Sequence, residues 1–542
     1  MNSESDVEVQ PSATVISEQL FSLAAREGTR ELIIDPVFGR VTYGEAAEQV
    51  ERLAYGLRAH GIGAGDIVIV QLPNWAPFLL FHIALSAIGA VTVTIPIVYR
   101  ERELSGVIAL TGARALVVPT IFNGFDYATM GLLLKEGQPS LQHVVTVDPD
   151  EGTADSALAY HLLMRKKWES RGDQPSLESI KPAVGDIAAL GFTSGTTGAL
   201  KGAIYDTNVI HATNMGFIER YGLNAGDRIF GCSPIGHAVG FTHALRMTLT
   251  IGGSVVLLER WDPTIALELI EREHCTFMAC ATPFLVDLVY HSELEARGRL
   301  ESVRLFLCGG ASIPEQLMRD SKSALPHTFT SPLWGMTECG GVTTCPFDAP
   351  EEKLFATDGL PCASMQLKVV DEAGEEVPRG TDGELLASGP MVTKGYFNQP
   401  DLTTEHFLED GFFRTGDQAR MDDDGYIRIT GRIKDLIIRG GINISPVDIE
   451  SVLFAHPKVA NVAVVGMPDT RLGERICAYV TPSGNETLTL PEVQAWMEAS
   501  QVAKPKWPER IEVIESLPMT PSGKVQKFRL REMIAAQITG EA

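Results

Sequence analysis

The sequence predicts an α/β protein with a large N-terminal domain of doubly wound mixed sheets plus a small β subdomain, followed by a small α+β C-terminal domain. Three observations lead to this fold class. Short apolar runs alternate with helical patterns from Ile67 to about residue 345, as in doubly wound sheets. From Gln366 to Ile433, Gly, Asp and Pro interrupt shorter apolar runs, which indicates a β subdomain. After Asp435, strand-like and helical segments resume and indicate a separate compact unit.

A chain of 542 residues is too long for one hydrophobic core, so several domains are expected. The first residues are polar and acidic, lack the basic start of a signal peptide, and are expected to form a mobile tail. The predicted division is a tail at 1–14, an N-terminal domain at 15–431 with its β subdomain at about 366–431, and a C-terminal domain at 436–542.

The composition excludes several classes of protein. The net charge of −24 argues against a nucleic-acid partner and against a basic membrane-surface helix. Eight cysteines without a CxxC pair indicate neither a zinc site nor a disulfide scaffold, so reduced thiols in the cytoplasm are expected. The longest apolar run, 77–96, contains polar residues and Gly89. It is expected to form a core helix and a buried strand, without stable insertion into a membrane.

The first elements are indicated by local patterns. Thr42–Glu45 is a capping box that begins a helix extending to about Ala59. A strand–helix–strand unit, which favours a parallel sheet, follows at 67–72, 76–86 and 91–95. Later short apolar strands are expected at 115–118, 144–147, 187–190, 229–230, 254–258, 276–278 and 305–307, with helices at 264–273 and 284–291. The C-terminal domain is expected to contain strands at 436–438, 459–465 and 476–480, and helices from Pro446 and Pro491.

A glycine-rich segment at Gly191–Gly202 follows a short buried strand at 187–190. Glycine allows the backbone N–H groups to approach a polyanion closely, Ser and Thr add hydroxyl donors, and Lys201 adds a positive charge. This combination is suited to binding phosphate. It is not the P-loop pattern, because Gly-Lys-Ser/Thr does not follow at the required spacing. The alternative is a flexible surface loop, which would need no lysine.

Four later motifs are ambiguous when each is taken alone. Gly309–Ala311 follows a strand and fits either a nucleotide contact or a tight turn. Leu333–Glu338 offers an aromatic face for a purine and a carboxylate for Mg²⁺, or a core Trp and a solvated Glu. In Arg414–Asp417 the Asp is suited to a ribose diol, but this segment and Gly431-Arg432, each taken alone, favour a turn. Pro521–Lys524 would ordinarily be an exposed basic loop.

Together and in this order, these motifs resemble the adenylate-forming superfamily, which includes acyl- and aryl-CoA ligases, amino-acid adenylation domains and firefly-type luciferases. The resemblance runs from about residue 15 to the end of the chain. The motifs that carry it, in family order, are Thr193–Gly202, the segment at His237, Gly309–Ala311, Trp334–Glu338, Gly383-Glu384, Arg414–Asp417, Gly431–Gly441 and Lys524.

The resemblance implies a role for each matching residue. Asp417 would bind the ribose hydroxyls with Arg432, and Lys524 would bridge the attacking carboxylate and the α-phosphate. Mg²⁺ would be held by Thr193 and Glu338. The β- and γ-phosphates of ATP would be bound by Thr193, Ser194, Gly195, Thr196, Thr197, Gly198 and Lys201. Adenine and the α-phosphate would be surrounded by Gly309, Gly310, Ala311, Trp334, Gly335, Met336 and Thr337.

The resemblance also implies a second half-reaction with coenzyme A, after the mobile C-terminal domain swings about a hinge at 432–435. Lys434 matches the pivot position, where Asp is common and Lys is an accepted variant. Arg439, Gly440 and Gly441 would line the pantetheine tunnel, and His237 matches a gate that shifts between the half-reactions. A second departure is Trp334, where the family usually has Tyr; the larger ring can still stack on adenine.

Within the superfamily, the residues favour a ligase that acts on free acids. Ile235–Phe241 lacks the acidic residue with which amino-acid adenylation domains pair the substrate amine. The chain ends shortly after Lys524, without room for a carrier-protein domain, so coenzyme A is the expected acceptor. Loading of a separate carrier protein is the alternative. A catalytically silent nucleotide-binding homologue would be expected to lack Lys524, Glu338 or Asp417, and a luciferase needs oxygen chemistry that the sequence does not indicate.

The expected acyl pocket is apolar or small and has no Lys or Arg for a second carboxylate. A hydrophobic monocarboxylic acid is therefore expected, with a medium chain, an alicyclic ring or an aryl ring. The sequence does not indicate the oligomeric state, and a homodimer is compatible with it. The expected pocket residues are His237, Val239, Phe241, His243, Gly310, Ala311, Cys339, Gly340 and Gly341.

Overall fold

A computed structural model describes residues 12–150, 158–170, 174–194, 200–484, 486–520 and 523–539. The elements of the first part of the chain are α1 (Ile16–Glu27), β1 (Glu31–Asp35), β2 (Gly39–Thr42), α2 (Tyr43–Ala59), β3 (Ile67–Val70), α3 (Ala76–Ala87), β4 (Val91–Thr94), α4 (Glu101–Thr111), β5 (Ala115–Pro119), β6 (Ile121–Phe122), β7 (Phe125–Asp126), α5 (Tyr127–Gly137) and β8 (His143–Val147). The predicted capping box is present, since Thr42 accepts from the Glu45 backbone N–H and Glu45 from that of Thr42.

The middle of the chain adds two groups of strands and the helices that cover them. These elements are β9 (Leu158–Ala159), α6 (Tyr160–Arg165), β10 (Ile187–Ser194), β11 (Leu200–Asp206), α7 (Thr207–Tyr221), β12 (Arg228–Gly231), α8 (Met247–Ile251), β13 (Ser254–Leu257), α9 (Pro263–Glu273), β14 (Phe277–Ala281), α10 (Thr282–Val289), β15 (Leu305–Gly309), α11 (Glu315–Ala324), β16 (Phe329–Met336), β17 (Gly340–Thr344), α12 (Glu351–Ala356) and β18 (Leu360–Pro361). A π-helix, Val239–Arg246, precedes α8.

These strands form two large mixed sheets, which confirms the predicted fold class. One sheet has the order β18-β17-β16-β15-β14-β12-β13-β1-β2, and the other β11-β10-β4-β3-β5-β8-β9. The inner strands are parallel, whereas β2, β11, β17 and β18 add antiparallel edges. The strand expected at 187–190 continues to Ser194, because β10 pairs with β11 in a hairpin. The apolar pattern of a single strand does not reveal which strand it pairs with, so this extension could not be predicted.

The long apolar run lies in the core, as expected. Every residue of α3 and β4 is buried, and Gly89 separates the two elements with a φ of +71°. A helix that is apolar on all sides is suited to a position between packed layers. Among the described residues, no helix has the length and apolar character needed to cross a membrane.

A four-stranded antiparallel sheet follows, in the order β19-β20-β21-β22. Its elements are β19 (Gln366–Val370), β20 (Asp382–Ser388), α13 (Pro400–His406), β21 (Phe413–Met421) and β22 (Ile427–Arg432). The inward side chains of this sheet, including Leu385, Ala419 and Ile427, pack into the main hydrophobic core. This packing holds the four-stranded sheet, and the residues at the ends of its strands, against the larger sheets.

The C-terminal domain has one five-stranded sheet with helices on both faces. Its elements are β23 (Ile437–Arg439), β24 (Ile442–Ile444), α14 (Pro446–Phe454), β25 (Val459–Asp469), β26 (Gly473–Pro482), α15 (Leu490–Ala499), β27 (Arg510–Val513) and α16 (Lys527–Thr539). Alternate residues of β25 face opposite sides: Val464 packs with Leu453, and Val465 packs with Leu530. The sequence did not predict α16 or β27.

Candidate active site

Two cavities meet at Lys524. The larger, of about 310 Å³, is a cleft between the C-terminal domain and the sheets that precede it. The smaller, of about 80 Å³, lies deeper and is called the inner cavity here. Lys524 lines both cavities, together with Gly310 and Gly335. The lysine therefore stands at the passage between the cleft and the inner cavity.

A tight turn holds Lys524 in this place. The Thr520 N–H donates to the Lys524 carbonyl at 2.7 Å, and the Lys524 N–H donates to Thr520 Oγ1 at 2.9 Å. Gly523 has a φ of +77°, and a Cβ added there would lie 3.2 Å from Pro283 Cγ. Only glycine adopts this conformation without strain, so Gly523 allows the turn to rest on the start of α10.

Lys524 is an exposed residue whose side chain lines the cleft and the inner cavity, so neighbouring protein atoms desolvate it only in part. This desolvation lowers the pKa of Lys524 below its usual value, and the nearby Arg432 lowers the pKa further. Asp417 and Glu338 act in the opposite direction. The nearby carboxylates therefore do not fully offset the desolvation of the Lys524 charge, which lies at the junction of the two cavities.

The cleft contains an interlocked group on three strands. The Trp334 indole N–H donates to Asp417 Oδ2 at 2.9 Å, and Arg432 Nε lies 2.9 Å from Asp417 Oδ1. Apart from this ion pair, the buried Asp417 Oδ1 has no hydrogen-bond partner among the described residues. The Asp417 carboxylate raises the pKa of Arg432. Asp417 is rigidly placed and retains one free acceptor atom.

Arg414, in the same motif as Asp417, has a different environment. It forms an ion pair with Glu384 across β20 and β21, with an N–O distance of 2.5 Å. This pair joins the Gly383-Glu384 motif to the Arg414–Asp417 motif. It stabilises the sheet next to the cleft, and neither side chain lines a cavity.

Glu338 is a buried carboxylate without a cationic partner. It is 5% exposed, and Tyr396 Oη donates to its Oε1 at 3.0 Å. No Lys or Arg of the described residues forms an ion pair with it. The hydroxyl of Tyr205 donates to the Thr337 carbonyl at 2.5 Å and fixes the preceding backbone. A buried carboxylate with this single neutral contact is suited to a bound cation.

Lys201 lies beside this group and also lacks an opposite charge. Its Nζ donates to His406 Nε2 at 3.0 Å and lies 5.2 Å from the centre of the Tyr396 ring, and within the described chain it has no ion pair with a carboxylate. Because Lys has only donors, His406 Nε2 accepts and its proton is on Nδ1. Burial and then Lys201 lower the pKa of His406. Thr193 pairs with Lys201 across β10 and β11.

The rest of the predicted phosphate loop is outside the part of the chain that the structure describes. The backbone of Ser194 ends β10, but its side chain is not described. Four further predicted residues lie outside the described ranges: Gly195, Thr196, Thr197 and Gly198.

Glycines allow close backbone approach at the wall of the cleft. A Cβ at Gly309 would lie 2.1 Å from the Leu333 carbonyl oxygen, and one at Gly335 would lie 2.0 Å from that of Gly340. At Gly310, φ is +82° and an added Cβ would lie 3.6 Å from Lys524 Cε. Ala311 and Trp334 line the cleft, whereas Met336 and Thr337 line the inner cavity.

The inner cavity is lined by much of the expected acyl pocket. The π-helix contributes Val239 and His243, a rare geometry that is frequent at functional sites. The other expected residues in the lining are His237, Gly310, Gly340 and Gly341. Three expected residues are not in it. Ala311 faces the cleft, while Phe241 packs on His82 with ring centres 4.8 Å apart and Cys339 is fully buried behind the wall.

Two neutral histidines face this cavity. Burial, and then the charge of Lys524, lower the pKa of His237 to about 4. Burial alone lowers the pKa of His243 to about 3. His237 Nε2 and His243 Nδ1 have no hydrogen-bond partner among the described residues. Both imidazoles are therefore uncharged at neutral pH and available for hydrogen bonds inside the cavity.

The residues expected to line a pantetheine tunnel are not brought to either cavity. Gly440 and Gly441 form the tip of the β23–β24 hairpin with φ of +59° and +84°, and Arg439 pairs with Glu509 at 2.9 Å. Lys434 lies in a 3₁₀ helix, Ile433–Asp435, with an exposed side chain.

Tyr396, His406 and Tyr205 were missed by sequence reasoning. Each is a single residue far along the chain from its partner, and no spacing or composition marks it. The only available signal was a tyrosine and a histidine between the Gly383-Glu384 and Arg414–Asp417 motifs.

Two family models match the sequence. The model described as AMP-binding enzyme covers residues 20–397, and the model described as AMP-binding enzyme C-terminal domain covers residues 448–524. The second match ends at Lys524. The cleft-lining residues Asp417 and Arg432 lie between the two matches.

Known proteins are similar over nearly the whole chain. A medium-chain fatty-acid–CoA ligase of Escherichia coli is 38% identical, over 94% of this chain and 88% of its own. A 2,3-dihydroxybenzoate-AMP ligase of Bacillus subtilis is 32% identical, over 92% and 89%. The structure of ATP-bound MatB from Rhodopseudomonas palustris superposes with a TM-score of 0.83 at 28% identity, over 96% and 98%.

Proposed function

The chain belongs to the AMP-binding enzyme family, and we propose that it is an ATP-dependent carboxylic acid–CoA ligase. In the proposed reaction, a hydrophobic monocarboxylic acid and ATP give acyl-AMP and pyrophosphate. Coenzyme A then takes the acyl group, giving acyl-CoA and AMP. ATP and the acid would share the two cavities that meet at Lys524.

One observation carries this proposal: Lys524 lines both the cleft and the inner cavity. On the cleft side it is near Asp417 and Arg432, and on the inner side its charge acts on His237. A cation at this junction can contact the α-phosphate and the acid carboxylate at once. This supports adenylation of an acid over a reaction on the phosphates alone.

The first step needs positioning and positive charge more than proton transfer. An oxygen of the acid carboxylate bonds to the α-phosphorus, the bond from that phosphorus to the bridging oxygen breaks, and pyrophosphate leaves. The acid is already ionised at neutral pH, so a general base is not required. Lys524 would offset the repulsion between the two anions and stabilise the charge that develops on the α-phosphate.

The cleft supplies groups that suit a nucleotide. The free Asp417 Oδ1 can accept a ribose hydroxyl, beside Arg432 and the Trp334 ring. Lys201, which has no carboxylate partner among the described residues, is suited to the departing pyrophosphate. Thr193 lies directly opposite Lys201 in the β10–β11 hairpin. These roles support binding of the leaving group at β11 and of the nucleoside at β21.

One carboxylate of this site is suited to binding Mg²⁺. The buried Glu338, with no cationic partner in the described chain, would hold the ion together with Thr193 and phosphate oxygens. The described residues contain no cluster of three or more His, Cys, Asp or Glu that could hold a metal alone. Mg²⁺ usually binds one or two carboxylates plus substrate phosphates. When bound, Mg²⁺ would neutralise phosphate charge.

The second step requires a thiol to reach the acyl carbonyl. The deprotonated sulfur of coenzyme A bonds to the carbonyl carbon, the bond to the AMP oxygen breaks, and AMP leaves. In the proposed cycle, the C-terminal domain rotates at 432–435 about Lys434, which withdraws Lys524. The hairpin with Arg439, Gly440 and Gly441 would then line the thiol path, and a shift of His237 would open it.

The acid is proposed to be a medium-chain, alicyclic or aryl monocarboxylic acid. The inner-cavity lining contains no Asp, Glu or Arg, and its one Lys is Lys524. The relatives support both arms of this range, because one carries the name of a medium-chain fatty-acid ligase and another that of a dihydroxybenzoate ligase. All eight cysteines are buried, free thiols, which supports a cytoplasmic location.

The main alternative is an acyl-AMP ligase that loads a separate carrier protein. It is favoured by the relative named 2,3-dihydroxybenzoate-AMP ligase and by another named salicyl-AMP ligase / salicyl-S-ArCP synthetase. A silent nucleotide-binding homologue is less compatible with a site in which Lys524, Glu338 and Asp417 are all present.

The test is to measure pyrophosphate, AMP and acyl-CoA with ATP and a panel of octanoate, benzoate, cyclohexanecarboxylate and 3-phenylpropionate. The proposal predicts pyrophosphate release with at least one acid, and stoichiometric acyl-CoA when coenzyme A is added. Pyrophosphate release without acyl-CoA would favour the carrier-protein alternative. Absence of release with every acid, despite ATP binding, would reject the ligase. A clear preference for acetate or palmitate would reject the proposed acid class.

A further inference from the structure

His243 occupies an unusual position in the inner cavity. It lies on the π-helix, is only 2% exposed, and lines the cavity. Its Nδ1 is buried and has no hydrogen-bond partner among the described residues. Most histidines that are buried this deeply bond to a backbone or side-chain group. This nitrogen has almost no accessible surface, so a ligand or water would reach it after a small movement of the His243 ring.

The surroundings place His243 away from the reacting end of the cavity. Its ring packs on Phe217 with centres 4.7 Å apart, and a Cβ at Gly341 would lie 2.5 Å from Phe217 Cζ. His237, in contrast, is close enough to Lys524 to be affected by its charge, and His243 is not. His243 and Gly341 therefore belong to the part of the cavity that would receive the body of the acid.

A purely hydrocarbon acid would leave this nitrogen unsatisfied. A buried polar atom without a partner destabilises the complex, so a fully apolar pocket would select against a histidine here. A hydroxyl can both donate and accept, and so can pair with Nδ1 in either tautomer of the ring. A carboxylate is a poorer partner, because His243 is neutral and no cation lines this end.

We propose that His243 is a specificity-determining residue, and that the preferred acid carries a hydroxyl group on its hydrophobic body, remote from the carboxylate. This inference rests on the proposed ligase function and narrows its substrate class. The apolar wall binds the hydrocarbon part, and the bond to His243 selects the hydroxylated member of each pair. Such selection is stronger than selection by shape, because the wrong substrate leaves the buried nitrogen unpaired.

The experiment compares matched acids that differ only in OH and CH₃. The two series are 3-phenylpropionates substituted at ring positions 2, 3 or 4, and octanoates substituted at the last three carbons. For each pair, kcat/KM is measured by pyrophosphate release, and the OH/CH₃ ratio is the readout. The variants are His243→Phe, which removes the hydrogen bond, and His243→Gln, which retains a donor and an acceptor.

At one substitution position or more, the OH/CH₃ ratio should be about 10-fold higher in the wild type than in His243→Phe, the value of one hydrogen bond. His243→Gln should retain part of this preference, and the exposed His327→Phe should retain all of it. Turnover of unsubstituted acids by His243→Phe shows that the variant is folded. Equal ratios in wild type and His243→Phe at every position would overturn the inference while leaving the ligase intact. No pyrophosphate release from any acid would overturn both.

Discussion

The two halves of the candidate site are held in different ways. In the N-terminal part, Trp334, Asp417 and Arg432 interlock, as do Glu338 and Tyr396. Lys524 comes from the C-terminal domain, which has few polar links to the rest. Among the described residues, the only side-chain hydrogen bond between 436–539 and the chain before 433 is that from Ser445 Oγ to the Thr430 carbonyl.

In the proposed cycle, this difference would correspond to a fixed binding half and a detachable catalytic half. The nucleotide groups are fixed by contacts within one core, so they keep their geometry whether or not the C-terminal domain is in place. Lys524 depends on the position of a whole domain. The proposed reaction has two steps at one site, and this division would let Lys524 leave before the thiol enters.

The largest expected effect breaks the catalytic half alone. Lys524→Ala should lower acyl-AMP formation by about 10²–10³-fold, because it removes a charge directed at the reacting phosphate. Transfer from preformed acyl-AMP to coenzyme A should be nearly unchanged. Single-turnover measurements of each step check this, with Lys504→Ala, an exposed lysine of the same domain, as the control. Adenylation at near wild-type rate in Lys524→Ala would contradict the assignment.

A smaller and opposite effect is expected at the hairpin tip. Gly441→Leu should slow acyl transfer to coenzyme A by about 10²-fold, since a side chain there would displace the thiol from its path, and should leave acyl-AMP formation unchanged. The matched control is Gly484→Leu, because both glycines have positive φ and open space around the added side chain. If both variants lose transfer equally, strain in the domain and not the thiol path is responsible.

The fixed half is tested at its ribose contact. Asp417→Asn should weaken the contacts with Arg432 and with a ribose hydroxyl, so KM for ATP should rise about 10-fold. The step that is slower in the wild type, acyl-AMP formation or acyl transfer, should remain the slower one. Asp382→Asn, which affects the exposed pair with Arg420 on the same sheet, is the control and should have little effect. An unchanged KM for ATP in Asp417→Asn would remove Asp417 from the nucleotide site.

The smallest effect is a change in pH dependence. Lys524 must be protonated to act, and desolvation lowers its pKa below the usual 10.5. Acyl-AMP formation should therefore fall as pH rises through that lowered value, by about tenfold per pH unit beyond it. In Lys524→Arg the fall should move to higher pH. A wild-type rate that stays constant up to pH 10.5 would show that the charge of Lys524 is not required.

Motifs in the sequence were sufficient for the fold class and for the residues that meet at the cleft. Trp334 and Asp417 were both candidates, but the bond between them joins positions 83 apart, and no local pattern contains that information. The same is true of Tyr396 on Glu338. Phe241 and Cys339 were predicted to line the pocket because their sequence neighbours do. Both side chains instead pack in the core and do not line the inner cavity. The π-helix, which carries the cavity-lining His243, has no signature in an apolar segment.

The division into two halves is tested most directly by locking them together. A Cβ at Gly523 would lie 3.4 Å from Ala281 Cβ, close to the spacing of about 3.5–4.5 Å found in disulfides. A cysteine at position 523 strains the backbone, whose φ is +77°, so the reduced double variant is the reference for every rate. The oxidised Ala281→Cys/Gly523→Cys protein should release one equivalent of pyrophosphate and retain acyl-AMP, but form no acyl-CoA until a reductant is added. Acyl-CoA formation by the oxidised protein at the rate of its reduced form would contradict the account.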